Sequence, residues 1–404
     1  MLIEDRRMTT YKRLGDYIRE VNVRNRELKV TNLLGVSISK EFMPSIANTI
    51  GTDMSTYKIV ERGQFAYGPV TSRNGDKVSI ALLDGYDDAI ISQAYTVFEV
   101  IAHEQLLPKY LMMWFRRPEF DRYARFHSHG SAREIFDWDE LCDVMLPIPS
   151  ITRQREIVSE YETLTNRIRL NNQMIQHLEA SAQALYRKTF VDNIDKENLP
   201  EGWQLAHLGE VCSIKGGKRL PKGEELQQEK NFHPYIKVAD MCTSKYLIWT
   251  AAFQYVDDEI QKQISRYVVN TNDIILSIVG TIGNVNVIDN TLNNANLTEN
   301  CVKLTNLSKI SHHYLYLYLV STEGRSAIEQ GIVGGVQGKL PIYNIEKIPV
   351  IIPNEVALFE FEQRIRAIDM DSKLRQKENI KQTELQSLIL AKMGNKHNEI
   401  WQTK

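Results

Sequence analysis

Cysteine is scarce in this 404-residue sequence: Cys142, Cys212, Cys242 and Cys301 are the four, and no two are spaced as CxxC. Nine histidines are scattered as widely. That argues against a disulfide framework or a zinc site and fits reduced thiols inside a cell. Long apolar runs are missing as well. The longest, 314–320 and 348–352, fall far short of the roughly 20 residues that cross a bilayer. The start, Met1-Leu2-Ile3-Glu4-Asp5-Arg6-Arg7, has no apolar stretch of the signal-peptide kind. Neither sign of charge dominates: 49 Lys+Arg face 51 Asp+Glu, a net charge of −2. A basic surface for nucleic acid must therefore be local. These absences predict a soluble, cytoplasmic protein with no membrane partner. Its 43% hydrophobic and 25% charged residues are ordinary for a globular chain, and the length suggests two to four domains.

Proline and glycine are absent from two stretches, 150–199 and 354–393, and frequent elsewhere. Both stretches read as long helices. In the first, Ile157, Tyr161, Leu164, Ile168, Asn171, Ile175, Leu178, Ala182 and Leu185 alternate at spacings of four and three. That is a coiled-coil seam with one polar member, Asn171, suited to fixing register. In the second, Phe361, Ile365 and Ile368 begin a similar seam. Clean register is then lost, and apolar residues resume at Leu374, Ile380, Leu385, Leu388 and Ile389. The outward faces of the first helix, including Arg167, Arg169, Gln173, Gln176 and Lys188, are candidates for a partner subunit or a solvated face.

The blocks before the helices read as mixed modules. Residues 267–269 and 273–279 suggest strands, Gly280-Thr281-Ile282-Gly283-Asn284 a tight turn, and 286–288 the return strand. Residues 110–115 and 314–320 suggest short buried helices, with strands as the alternative. The blocks also repeat. A shift of 204 places Tyr110-Leu111 on Tyr314-Leu315, Gly130 on Gly334 and the run 145–149 on 349–353. Leu14-Gly15-Asp16 matches Leu208-Gly209-Glu210 at a shift of 194. The expected fold is α+β: two modules in tandem repeat, separated by two long helices pairing as an antiparallel coiled coil. The boundaries are a first module at 1–150, a helix at 151–191, a linker at 192–200, a second module at 201–353, a helix at 354–393 and a tail at 394–404. Were the helices antiparallel, the modules would sit at opposite ends. A 35-residue helix is about 52 Å long, against about 34–36 Å between major grooves on one face of DNA.

Catalytic motifs are missing. No Asn/Asp-Pro-Pro-aromatic tetrapeptide of amino-methyltransferases is present. The glycine-rich run 331–340 fails as a phosphate loop: its first glycine is misplaced for GxxxxGK, and Leu340 stands where Ser or Thr would hold magnesium. His127 and His129 lack the further ligands of a familiar metal spacing, so no metal is expected. The acidic pairs Asp87-Asp88 and Asp257-Asp258 read as solvated turn charges. The basic loops carry more information. Arg24-Asn25-Arg26 and Gly217-Lys218-Arg219 occupy nearby repeat positions. Arginine and lysine contact phosphates, and arginine can bind guanine O6 and N7 together. Arg73, Asn74, His129, Ser131, Arg133, Thr281, Asn284, Gln337 and Lys339 lie in the other repeated loops and complete the candidate DNA-binding set. Ordinary surface charge is the competing reading for each.

Order and duplication together carry a resemblance. Ser128-His129-Gly130-Ser131 leads to Leu146-Pro147-Ile148-Pro149 and Gln154-Arg155-Glu156-Ile157, then Ala182-Gln183-Ala184-Leu185-Tyr186. The second half carries Trp203, Leu208-Gly209-Glu210, Asp273-Ile274, Gly280-Thr281-Ile282-Gly283 and Ile345-Glu346-Lys347-Ile348-Pro349-Val350-Ile351-Ile352-Pro353. In these respects the sequence resembles the DNA specificity subunits of type I restriction–modification enzymes, over nearly its whole length. The resemblance implies two target-recognition domains, each reading half of a split sequence in double-stranded DNA. It implies spacer helices that dock two modification (methyltransferase) subunits, with restriction (motor-nuclease) subunits joining for cleavage. This chain would be the non-catalytic reader in a prokaryotic cytoplasm, with S-adenosylmethionine, ATP and magnesium held by the partners and no cofactor of its own. The rival function is a coiled-coil adaptor that binds only protein.

Overall fold

The computed structural model describes residues 11–45, 51–71, 77–130, 134–192, 194–335 and 338–394. Arg73, Asn74, Ser131, Arg133 and Gln337 lie outside the described residues. The chain divides into two compact units, one of residues 1–166 with 382–404 and one of residues 167–381.

In the first unit a four-stranded sheet has the order Ile18–Val21, Thr96–Val100, Phe65–Tyr67, Ile80–Leu82. Two helices follow, Pro108–Phe115 and Pro118–Phe126, each opened by a proline. A proline is suited to the first helical turn because that N–H has no partner within the helix. Phe65, Phe98 and Phe115 fill the core between sheet and helices, with Phe65 stacked on Phe98 at 4.8 Å. In the second unit the order is Ser213–Gly216, Cys301–Thr305, Ile274–Ser277, Val285–Ile288, with Tyr246–Leu247 added at the edge. The helices His312–Val320 and Thr322–Gln330 follow, capped by the hydroxyls of Ser311 and Ser321. The repeat read from the sequence is thus a repeat of topology. The stretches 110–115 and 314–320 are helical.

The Leu-Gly-acid motif has a packing reason in both units. A Cβ on Gly15 would sit 2.8 Å from the Cβ of Cys142, and one on Gly209 would sit 3.2 Å from the Cβ of Glu346. Those residues end the matching short helices Trp138–Cys142 and Ile342–Glu346. Beside them, Tyr11–Arg13 pairs with Met145–Pro147, and Gln204–His207 pairs with Pro349–Ile352.

The long helices are Ile151–Phe190 and Glu355–Lys392, and they pack as an antiparallel pair. In the first unit Thr165 accepts from Gln386 at 2.7 Å, and Val158 and Tyr161 share a core with Leu390 and Met393. In the second unit Ala182, Tyr186 and Phe190 share a core with Phe361 and Ile365, and the Phe190 and Phe361 rings meet edge to face. The first-helix seam is as expected: Tyr161, Asn171, Ile175 and Ala182 are buried, and Ile157, Leu164, Ile168, Leu178 and Leu185 are partly so. Asn171 joins a polar layer. Its amide donates to Glu378 and Asn379 at 2.9 and 3.0 Å and accepts from Arg375 at 3.2 Å. Clean apolar register is lost beyond Ile368 in the second helix, as expected, though the helix stays packed, with Ile380 and Ile389 against the cores. The seam continues from Phe361, Ile365 and Ile368 through Ser372, Gln376 and Gln382, which are polar and buried. Leu374, Leu385 and Leu388 face solvent instead, at about half exposure. Arg167 does not simply face outward either; it pairs with Glu378 at 2.9 Å.

Candidate nucleic-acid interface

Strand direction places the candidate loops. In the first unit Ile18–Val21 and Phe65–Tyr67 both run antiparallel to Thr96–Val100, with Val21 opposite Val97 and Tyr67 opposite Thr96. Their C-terminal ends therefore open on one end of the sheet. In the second unit Ser213–Gly216 and Ile274–Ser277 both run antiparallel to Cys301–Thr305, with Gly216 opposite Val302 and Ser277 opposite Cys301. The same end is again where the basic loops emerge. Lys218 and Arg219 leave one strand; Thr281 and Asn284 connect the next two.

A further loop joins each rim. Val279 bridges to Lys339, which also bridges to Val333 within the glycine-rich run. Val70 bridges to Ile135, which also bridges to His129. The two units thus bring the same pair of loops together by the same pattern. In the second unit the tight turn is pinned from beneath by buried Ser277. Its hydroxyl donates to the Thr281 carbonyl at 2.6 Å and accepts from the Asn284 N–H at 2.9 Å. Gly280 and Gly283 take φ of +78° and +94°, a region that favours glycine. Ser277 was not singled out in the sequence; a serine ending an apolar strand before a glycine turn was the available signal.

The candidate residues fall into different environments. Lys339 and Thr281 are exposed and Asn284 is partly so. Lys218 is exposed, with its ammonium 5.7 Å from the Tyr267 ring centre. Arg219 donates from Nε to Glu299 at 2.7 Å. Glu299 lies between the strands Ala295–Leu297 and Cys301–Thr305 and also accepts from the Thr298 hydroxyl at 3.1 Å. Burial works against its charge, but the bonds from Arg219 and Thr298 hold its carboxyl below the usual range. In the first unit Arg26 is exposed, whereas Arg24 donates to the Thr56 carbonyl at 2.6 Å. Asn25 is the correction in this loop. It is buried, its amide donates to the Val30 carbonyl at 2.8 Å and its carbonyl accepts from the Val30 N–H at 3.2 Å. It shapes the loop and has no face to offer a base. Both loops follow the second strand of their unit rather than the first.

His127 and His129 converge on one carboxylate, Glu140, at 2.9 and 3.3 Å. No group of three or more potential metal ligands occurs among the described residues. Arg125 forms an ion pair with Glu134, whose backbone carbonyl accepts from Thr71. Asp87 is 94% exposed in its side chain and pairs with Arg62 at 2.8 Å, a solvated turn charge as expected, whereas Asp257 caps the helix Asp258–Ile264 by accepting from Ile260. Sequence reading missed Glu134, Glu140 and Glu299, whose partners come from other loops.

Residues 200–385 match the family model described as type I restriction modification DNA specificity domain. The second half is thus similar to type I specificity domains. Over longer spans the chain is similar to curated specificity subunits. The HindI specificity subunit of Haemophilus influenzae is 20% identical over 84% of this chain and 87% of its own length. The MjaVIII specificity subunit of Methanocaldococcus jannaschii is 20% identical over 68% of this chain and 67% of its own. The crystal structure of a type I system S subunit from M. genitalium covers 97% of this chain and 98% of its own, with a TM-score of 0.56 and 13% identity. That likeness is one of fold, and it spans both halves of the chain. The resemblance read from the duplicated motifs is borne out. No helix among the described residues is long and apolar enough to cross a membrane.

Proposed function

We propose that this chain is the sequence-specific DNA-binding subunit of a type I restriction–modification complex. One observation carries the reading: in both units the same strand order delivers matching loops to one end of the sheet, with Arg26 exposed in the first unit and Lys218, Arg219 and Lys339 in the second. Two such rims suit a target in two parts, each rim reading one half. Arg26, Lys218, Arg219 and Lys339 supply cations for phosphates or guanine, and Asn284 an amide suited to adenine. The polypeptide itself is a reader. Methyl transfer and cleavage belong to two modification subunits and the restriction subunits docked on it, which hold S-adenosylmethionine, ATP and magnesium. The cytoplasm of a prokaryote is the setting that follows.

Replacing Arg26, Lys218 and Lys339 by alanine tests the reading. The triple variant keeps its circular dichroism spectrum and loses affinity for duplex DNA. Its log–log salt slope falls by about 0.9 for each phosphate contact removed. Affinity and slope both equal to the parent's would remove these residues from the interface and leave a protein-only adaptor as the better reading.

A further inference from the structure

The rims are less basic than their sequence suggests, because carboxylates occupy two of their arginines. Arg219 in the second unit is 82% exposed in its side chain, yet it holds Glu299 at 2.7 Å, and the Glu299 side chain is 31% exposed. The carboxylate is not a loose end. Its second oxygen accepts from Thr298, a buried residue of the same connection. In the first unit Arg125 lies in the last turn of the helix Pro118–Phe126, and its guanidinium pairs with Glu134. Glu134 lies beside Ile135, in the segment that bridges to Val70. Neither pair joins neighbours on one helix: Glu299 reaches Arg219 from a distant connection, and Glu134 reaches back to Arg125 from the segment after its helix. The two pairs are not equivalent by the repeat: Arg219 with Glu299 lies at the strand ends, and Arg125 with Glu134 lies beside the bridge from Ile135 to Val70.

A carboxylate and a phosphodiester offer a guanidinium the same thing, two anionic oxygens in a plane. A glutamate seated on a rim arginine therefore marks where a DNA anion would sit. We propose that Arg219 with Glu299, and Arg125 with Glu134, are phosphate subsites closed by their own carboxylate, which must be displaced when the rim meets the DNA backbone. This rests on the reading of the rims as DNA-binding surfaces. It adds Arg125 to the contacting residues and gives the two glutamates a role, that of keeping the rims weakly charged until DNA arrives. The displacement draws on binding free energy whatever the sequence, so the glutamates shorten the stay of the protein on all duplexes.

The size of the effect follows from the exposure of the pairs. Exposed ion pairs contribute about 0.2–1 kcal/mol, which is about a 1.4- to 5-fold change in an equilibrium constant. Glu299→Gln keeps the shape and the acceptor for Thr298 while removing the charge. The full chain, its variants and a labelled 40-base-pair mixed-sequence duplex are the reagents, together with the duplex that the parent chain enriches from a randomised pool. Glu299→Gln tightens binding to both duplexes by about two- to fivefold and steepens the salt slope by about 0.9. Adding Arg219→Ala to Glu299→Gln abolishes the gain. Glu134→Gln does the same in the first unit, and its gain disappears with Arg125→Ala. Circular dichroism and unfolding midpoints verify that each variant is folded. If Arg219→Ala weakens binding but neither glutamine variant tightens it, the closed subsites are refuted and the rims stand. A loss confined to the enriched duplex would make Glu299 a base reader, accepting from cytosine, and would also refute the proposal. If neither Arg219→Ala nor Arg125→Ala changes binding, or if the parent binds neither duplex, the rims themselves are wrong.

Discussion

The second unit rests on its long helix through a buried charge cluster, and removing one member should be costly. Lys245 stands just before the edge strand Tyr246–Leu247, and its ammonium pairs with Asp369 of the second long helix; the two side chains are 7% and 10% exposed. Asp369 also accepts from the Tyr246 hydroxyl at 2.5 Å and faces His313 at 3.3 Å. His313 bridges on to Glu362 at 3.0 Å. Burial lowers the Lys245 ammonium despite the carboxylate beside it. Burial opposes the charge on Asp369, yet His313 and Lys245 hold its carboxyl far below the ordinary range. Asp369→Ala removes the carboxylate in contact with a buried ammonium and leaves it only Glu362 and Glu179, which make no ion pair with it. Breaking such a pair typically destabilises by about 3–5 kcal/mol, far more than an exposed pair would lose. Replacing both partners, Lys245→Met with Asp369→Leu, should recover most of that loss, because apolar residues of similar volume carry no desolvation cost.

Urea unfolding followed by tryptophan fluorescence, with Trp203 and Trp249 reporting on this unit, measures both. The cluster also gives a pH dependence. Asp369 and Glu362 are depressed in the folded state, so their contribution is present above the unfolded carboxylate range and is lost as pH falls through the folded values. His313 has burial against its charge, but Asp369 and Glu362 raise it. Its contribution is full below the unfolded histidine value of about 6.5 and is lost as pH rises through the folded one. Stability of this unit should therefore be greatest between those limits, and Asp369→Ala should flatten both flanks. A change under about 1 kcal/mol in Asp369→Ala, with the flanks intact, would refute this account of the cluster.

Asn171→Leu should lower stability by about 1–3 kcal/mol, because it removes the donor that Glu378 and Asn379 both accept from; the pair Asn171→Leu with Asn379→Leu should be closer to the parent in denaturant titrations. Exchanging residues 1–150 for those of another specificity subunit should change one half of the recognised sequence and leave the other; a change in both halves, or in neither, would contradict independent reading by the two units.

Much of the architecture was legible because it rests on local periodicity. Ile157 to Leu185 declared a helix seam since apolar side chains fill it at spacings of four and three. The later part of the second helix was not legible for the same reason. Its buried positions include Ser372, Gln376 and Gln382, while Leu374, Leu385 and Leu388 are exposed and only Ile380 and Ile389 of the expected apolar set pack inward, so hydrophobicity marked the face poorly. The rims were half legible. Duplicated motifs located the loops, and sheet pairing placed them together. The partners of the basic residues could not be read, since Arg219 meets Glu299 across 80 residues and Lys245 meets Asp369 across 124. Asn25 shows the opposite error: its type suits adenine, but the fold uses its amide to close a turn.

Genome-wide mapping of methylated adenine, in cells with this chain and in cells from which it has been deleted, tests the central claim most directly. The account predicts a motif of two short specified parts separated by an unspecified gap, methylated only when the chain is present. Methylation that persists unchanged without the chain, or a chain-dependent motif with a single uninterrupted specified part, would contradict it.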